Sequence, residues 1–415
     1  MSTRSLAMPA VAHKPLVRSD TFARECADVA LCIGCALWIS IGLFRRSFFQ
    51  EYMGELEFLS VDSTSAIMMG LVAVRELLLK QADGQQKTLR LRLLVLALIA
   101  PFCMSGILSR EAYELLVAVL LAMSARNLDL KRLMRYVFVA MALSLAAIIL
   151  ASLADVVPNV MLVQSNRVRF CLGFRYCLVP SNILLAVTLL WCLMREESFG
   201  LVDAAAYASM NAVMYYLTRS RLTTCVALAV VLTFLVRSWS SRAKWSWGRG
   251  HRATRFALSN VVLICLVLTA IITAAYHVAL AVDGDLAANL GHMFGNRVRR
   301  GYEGLANIGV RLMGQDVRWV GHGLSSNGVS AANMGSTYNY VDNMYLHVLI
   351  EQGVLYAGYI VLGLHLLSRR AVAMNRMGLA IVLAAMAACG LLDDHALLLY
   401  YNPLLLLMFN DLKDA

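Results

Sequence analysis

Between Phe256 and Val282 the chain runs for twenty-seven residues without an Asp, Glu, Lys or Arg, and only His277 can ionise. A helix rises about 1.5 Å per residue, so roughly twenty apolar residues cross a hydrocarbon core of about 30 Å. Tyr136–Leu153 supplies eighteen more uncharged, mostly apolar residues. Hydrophobic residues make up 60% of the 415 and charged residues only 15%, against about 45–50% and about 25% in soluble domains. That balance excludes a disordered chain, a nucleic-acid-binding domain and most water-soluble enzymes.

The same arithmetic picks out shorter apolar runs at Ala27–Phe44, Ser63–Leu79, Leu93–Leu108, Tyr113–Ser124, Asn182–Met194, Leu201–Thr218, Leu222–Val236, Asn343–Leu367, Met377–Leu392 and Ala396–Phe409. They predict an all-α, polytopic membrane protein of about twelve transmembrane helices, with residues 1–415 forming one membrane domain. With the N-terminus inside, residues 1–25 are expected in the cytoplasm, without a cleavable signal peptide. The runs Lys80–Arg92, Arg126–Arg135, Arg237–Arg255 and Arg369–Arg376 then also fall inside, as do all six lysines and the C-terminus. Arg237–Arg255 alone carries six cations and no acid. This satisfies the excess of cations expected in cytoplasmic loops. Residues 154–181 and 283–341 become external loops, the second lying between spans nine and ten.

The external side should be poor in cations, yet it holds thirteen arginines and no lysine: Arg45, Arg46, Arg110, Arg167, Arg169, Arg175, Arg219, Arg221, Arg297, Arg299, Arg300, Arg311 and Arg318. Arginine grips phosphate or carboxylate by two points and keeps its charge, whereas lysine is a point charge. The set therefore points to an anion site, with solvated loops or lipid headgroups as the rival reading. Arg167, Arg169 and Arg175 share a loop without a paired acid. Arg219-Ser220-Arg221 forms a tight turn before a span of about 22 Å, short enough for its upper end to lie in a wet cavity. Read as a helix, Asn296–Met313 sets Arg297, Arg300 and Arg311 within about 60° of one another. Gly301, Gly304 and Gly309 weaken that helix, and alternatively let the backbone approach a bulky ligand.

Polar groups also occur inside the late spans, where they are functional candidates. Asn343, His347 and Glu351 follow an i, i+4, i+8 stripe, with Asp342 at its outer end. Asp393, Asp394 and His395 lie where the eleventh span emerges. Buried structural hydrogen bonding is the rival for His347 and Glu351. Cys171 and Cys177 are near enough in sequence to pair, and no Cys/His spacing resembles a metal site.

Four segments carry a family resemblance. Arg169-Phe-Cys-Leu-Gly173-Phe174 followed by Pro180-Ser-Asn182 is similar to an R-x-x-x-G-F segment with a nearby P-N. Thr218-Arg219-Ser220-Arg221 is similar to a T-x-S-R turn. Asn296-Arg297, then Gly301, Gly314 and Gly321-His322-Gly323, resembles an arginine-bearing loop helix with its G-x-G. Asp342-Asn343-Met-Tyr345-Leu346, with Glu351 and Gly353, resembles a D-N-x-Y-L…G motif. In order and placement these resemble the Wzy-type polysaccharide polymerases of the O-antigen ligase/polymerase superfamily. Ligases of that superfamily usually carry His-Asn where this chain has Asp342-Asn343, which favours the polymerase reading and leaves the base open.

The resemblance implies a GT-C-like glycosyltransferase in the bacterial inner membrane, active at its outer face on undecaprenyl-diphosphate-linked oligosaccharides. Transfer would invert the anomeric centre and need no metal or cofactor. Arg221, Arg297 and Arg169, supported by Arg175, Arg219, Arg300 and Arg311, would stabilise the leaving diphosphate. Asp342 and His395, with His322 behind them, are the candidate proton acceptors. Asn343, Tyr345, His347 and Glu351 would contact the glycan or lipid. A chain-length regulator and a flippase of the same pathway are the implied partners. The alternatives are an O-antigen ligase acting on a lipid A core, and a lipid-linked oligosaccharide flippase. A flippase should have short loops and two similar halves, and this chain has a roughly 60-residue external loop and no evident repeat.

Overall fold

Apolar length translates into helix along most of the chain. The computed structural model describes residues 16–54, 61–80, 112–164, 167–242, 252–293, 296–324, 338–394 and 397–412. The described helices are α1 (Leu16–Arg45), α2 (Gln50–Gly54), α3 (Val61–Lys80), α4 (Ala112–Ser124), α5 (Leu130–Leu153), α6 (Val179–Met194), α7 (Leu201–Thr218), α8 (Arg221–Arg242), α9 (Arg252–Val282), α10 (Gly284–Met293), α11 (Arg297–Asn307), α12 (Met344–Glu351), α13 (Gly353–Ala373) and α14 (Met377–Cys389). Among the described residues four stretches are long and apolar enough to cross a membrane: Glu25–Arg45, Leu130–Leu153, Arg221–Ser240 and Arg252–Val282. Leu143, Leu232, Ile271 and Val278 stand more than half exposed on their flanks, an apolar surface suited to lipid rather than water. The packed interior centres on α6, buried along nearly its whole length between α5, α7 and α8.

Several sequence expectations change. The expected span Leu93–Leu108 lies outside the described residues. Residues 161–164 and 167–170 pair as an antiparallel ribbon, β1 with β2, Leu162 opposite Arg169. The chain is thus mostly, not wholly, helical. Of the expected span Ala396–Phe409, the described residues 397–409 form turns and a 3-10 segment, Pro403–Leu407, in place of an α-helix. Pro403 lacks an N–H and disfavours a helical residue before it, and Asn402 accordingly leaves the helical region at φ −130°. This segment runs lengthwise through the protein. Near its start Tyr400 Oη accepts from Arg46 Nε at 2.8 Å, and at its far end Asn410 Nδ2 donates to the Ala125 and Leu128 carbonyls, each at 3.0 Å.

The described parts of the basic runs gather at one end. There Glu196 meets Arg237 at 2.5 Å and the Gly378 amide at 2.9 Å. Arg255 donates to the Val372 carbonyl, and Arg126 pairs with Glu76 at 2.6 Å. Arg45, Arg46, the β-ribbon and Asp342 lie at the opposite end.

The expected span Asn343–Leu367 is broken at Gln352 into α12 and α13. The backbone groups freed by the break are taken up by the incoming loop. Gln315 donates its N–H to the Glu351 carbonyl and its side chain to that of Ile350, both at 2.8 Å. Val354 and Leu355 donate to the Arg311 and Leu312 carbonyls at 3.1 and 3.2 Å. Gly353 (φ +84°) packs directly on Gly314 (φ +86°). A Cβ on Gly353 would stand 2.7 Å from the Arg311 carbonyl oxygen. Gly353→Ala is therefore expected to destabilise the protein by about 2 kcal/mol or more, seen as a lowered Tm in detergent. An unchanged Tm would show that the loop is not seated in the break.

Candidate functional site

At the end opposite the basic runs, segments distant in sequence line a cavity of about 350 Å³. The C-terminus of α1 brings Arg45 and Arg46, and the loop before α6 brings Arg175 and Tyr176. The long loop brings Trp319, His322, Tyr338, Tyr340 and Asp342, and Tyr401 comes from the last segment. Main-chain pairing holds these pieces in register. Ser47 bridges Phe174, the Arg175 N–H donates to the Arg46 carbonyl at 3.1 Å, and the Leu324 N–H donates to the Arg175 carbonyl at 2.7 Å.

The charges are compensated, not massed. Arg46 lies 3.8 Å from Glu114, Arg175 lies 3.8 Å from Glu51, and Arg297 Nε lies 3.5 Å from Asp342 Oδ2. Arg45 donates to Thr64 Oγ1 at 2.7 Å. Behind the lining, Arg300 sits 3.8 Å above the Tyr338 ring, whose other neighbour is His322 at 4.7 Å. The Nε atoms of Arg169, Arg175 and Arg297 are buried without a hydrogen-bond partner. A buried donor left unfilled is costly, so three of them around one end of the protein mark positions suited to an acceptor-rich ligand.

Titration follows the same geometry. Burial lifts the Asp342 carboxyl to about 6, aided by Asp394 and Asp393 and opposed by Arg297 and Arg300. Burial, then Arg300 and Arg169, push His322 down toward the neutral imidazole. Tyr340 donates its hydroxyl to Asp394 Oδ2 at 2.5 Å, and Asn182 donates to Asp393 Oδ2 at 3.3 Å.

Arg297 also borders a second cavity of about 120 Å³ between α9, α11, α12 and α14. Its walls are mostly apolar, including Ile272, Leu346, Leu391 and Leu392. The arginine paired with Asp342 of the polar chamber thus also lines an apolar slot.

Of the residues singled out in the sequence, Arg175, His322 and Asp342 line the main cavity, and Arg169, Arg297 and Arg300 act on its groups. The others are elsewhere. Arg311 does not share a helix face with Arg297 and Arg300, because α11 ends at Asn307 and Arg311 is exposed in the docked loop. Gly301 and Gly304 pack against Leu346 and Val341, so they serve helix packing rather than a ligand's approach. In the Thr218–Arg221 turn the hydroxyls are buried and the arginines are not. Thr218 bonds Ser181 at 2.6 Å and Ser220 bonds Thr223 at 2.7 Å. Arg219 caps α7 at φ +55° and lies over Tyr216, and Arg221 is exposed.

Asn343 caps α12, accepting from the Leu346 N–H at 3.0 Å. Tyr345 is buried against the Ala387 carbonyl. His347 and Glu351 pair at 3.0 Å, 6% and 2% exposed, behind the cavity wall. His395 lies outside the described residues. Cys171 and Cys177 are buried free thiols packed with Phe48 and Val157, and the Cys177 sulfur lies 4.0 Å from Arg169 Nη1.

Sequence reasoning placed Arg45 and Arg46 in the external arginine set without giving either a role, and did not single out Trp319, Tyr338 and Tyr340. The adjacent arginines at the outer end of the first span were a usable signal, as were the aromatics flanking Gly321-His322-Gly323. Among the described residues no group of His, Cys, Asp or Glu is arranged to hold a metal. The chain matches no known family, no curated protein and no solved structure.

Proposed function

We propose that the chain is a GT-C-like glycosyltransferase of the Wzy type. It joins undecaprenyl-diphosphate-linked oligosaccharide repeats into a surface polysaccharide. The carrying observation is the cavity lined by Arg175, His322 and Asp342, with Arg297 paired to the Asp342 carboxylate 3.5 Å away and Arg169 acting on His322. A site for such a reaction needs donors where the leaving diphosphate gathers charge, and a proton acceptor poised near neutrality. Asp342 and the arginines around it supply both kinds of group.

In this reading an acceptor hydroxyl attacks the anomeric carbon, and the bond from that carbon to the diphosphate oxygen breaks with inversion. Asp342, as carboxylate, takes the hydroxyl proton. Arg297, Arg175 and Arg169 receive the diphosphate's negative charge, a part that a divalent cation plays in many other glycosyl transfers. The apolar slot beside Arg297 suits the first isoprene units of the lipid. The protein would sit in a bacterial cytoplasmic membrane through about twelve spans. Its basic end would face the cytoplasm and its cavity the outside, working beside the flippase and chain-length regulator of its pathway.

The test is incubation of purified protein with the lipid-linked repeat alone. Longer lipid-linked chains are expected, resolved as a ladder on a gel. Transfer only after a lipid A core acceptor is added would replace the polymerase with a ligase. No transfer in either case, together with movement of the lipid across a vesicle membrane, would make the chain a flippase.

A further inference from the structure

We propose that Trp319 is the surface on which a sugar ring of the substrate rests, and that the buried His347–Glu351 pair positions it. This rests on the glycosyl-transfer reading and names the part of the substrate that the aromatic wall receives. Trp319 belongs to an irregular segment, so no helix or strand fixes its ring. Its own contacts do. The indole Nε1–H donates to Glu351 Oε2 at 2.8 Å, and one face stacks on His347 with ring centres 4.7 Å apart at 25°. Tyr340 meets the indole edge-on at 5.8 Å, and is itself anchored to Asp394.

Glu351 and His347 do not line the cavity, whereas Trp319 and Tyr340 do. A buried carboxylate is expensive within a helix, even when paired. Here its second role is to fix the orientation of an indole at the wall of a polar chamber. The pyranose face carrying axial C–H bonds is apolar with a slight positive charge, and the indole face is electron-rich. A glycosyl diphosphate therefore offers complementary surfaces to a cavity with an indole in one wall and guanidinium groups in another. The main cavity also falls in the size range of small-molecule sites, about 300–1,000 Å³.

The experiment measures equilibrium binding of two probes to the full chain in lipid nanodiscs. One probe is geranyl diphosphate, and the other is the same lipid diphosphate carrying one N-acetylglucosamine. Trp319→Leu is expected to weaken the sugar-bearing probe about 10-fold and to change the sugar-free probe less than twofold. Glu351→Leu should reproduce that pattern. Glu351→Gln, which keeps an oxygen acceptor for the indole N–H, should stay near wild type.

Equal weakening of both probes by Trp319→Leu, or weakening of neither, overturns the sugar platform. If Trp319→Leu binds neither probe, Trp319→Phe decides. Selective loss of the sugar-bearing probe supports the platform, and equal loss removes it. A selective Trp319→Leu beside an unaffected Glu351→Leu removes the positioning role alone. Wild-type protein that binds neither probe overturns the glycosyl-transfer reading, and the platform with it.

Discussion

Asp342→Asn is expected to cut chain lengthening by about 10²–10⁴-fold, measured as initial rate with purified protein. Asparagine keeps the shape of the side chain and a polar neighbour for Arg297, but it cannot take the acceptor's proton. Wild-type activity should therefore fall as the pH drops through about 6, where the half-buried Asp342 carboxyl takes up its proton. The Asn variant should lack that limb of the profile. The sign of the accompanying stability change separates chemistry from unfolding. A carboxyl raised from 3.8 to about 6 in the folded state binds more protons folded than unfolded over that window. Its contribution to stability is therefore fully present at low pH and is lost as pH rises through about 6. Loss of activity toward pH 5.5 then cannot be charged to unfolding through this group. A variant within threefold of wild type would remove Asp342 as the proton acceptor.

Arg297→Ala carries the other large effect, a loss of about 10²–10³-fold. Its guanidinium borders the apolar slot, pairs with Asp342 and holds a buried Nε without a hydrogen-bond partner. Among the groups acting on Asp342 it is the largest that lowers the carboxyl's pKa, so its removal should also move the pH–rate midpoint upward. Arg297→Lys separates the two contributions. A point charge restores most of the midpoint, and the missing two-point grip leaves the rate low. Arg221→Ala, on an exposed side chain outside both cavities, should stay within about threefold of wild type. Equal losses from both alanine variants would mean that the diphosphate is held outside this cavity.

The contrast between Arg297 and Arg221 marks how far the sequence can be read. Hydropathy located α7 and α9 closely, and the cores of α1 and α5, because each buries its backbone bonds within itself and shows apolar side chains along its length. It failed at 396–409, where apolar side chains packed on all sides carry no periodicity and Pro403 decides the conformation. It merged α12 with α13, since the break depends on a loop far upstream, residues 311–315, that supplies the missing partners. Arg175, His322 and Asp342 could be found because each stands in a segment of cations or motif residues. Arg45 and Arg46 reach the same cavity through long-range contacts such as the Ser47–Phe174 bridge and the Arg46–Arg175 backbone pair, and no local pattern encodes those contacts. His347 and Glu351 look like ligand contacts in a one-dimensional stripe. In three dimensions Trp319 stands in front of them.

The last segment has a consequence for thickness. Glu114 stands beside Arg46 and Tyr400 at the cavity, and Ala125 receives Asn410 at the basic end. At about 1.5 Å per residue the α4 turns between them rise only about 17 Å, little more than half of a hydrocarbon core of about 30 Å. The contacts that tie the cavity end of the last segment to its basic end are thus carried on a helix shorter than a full span.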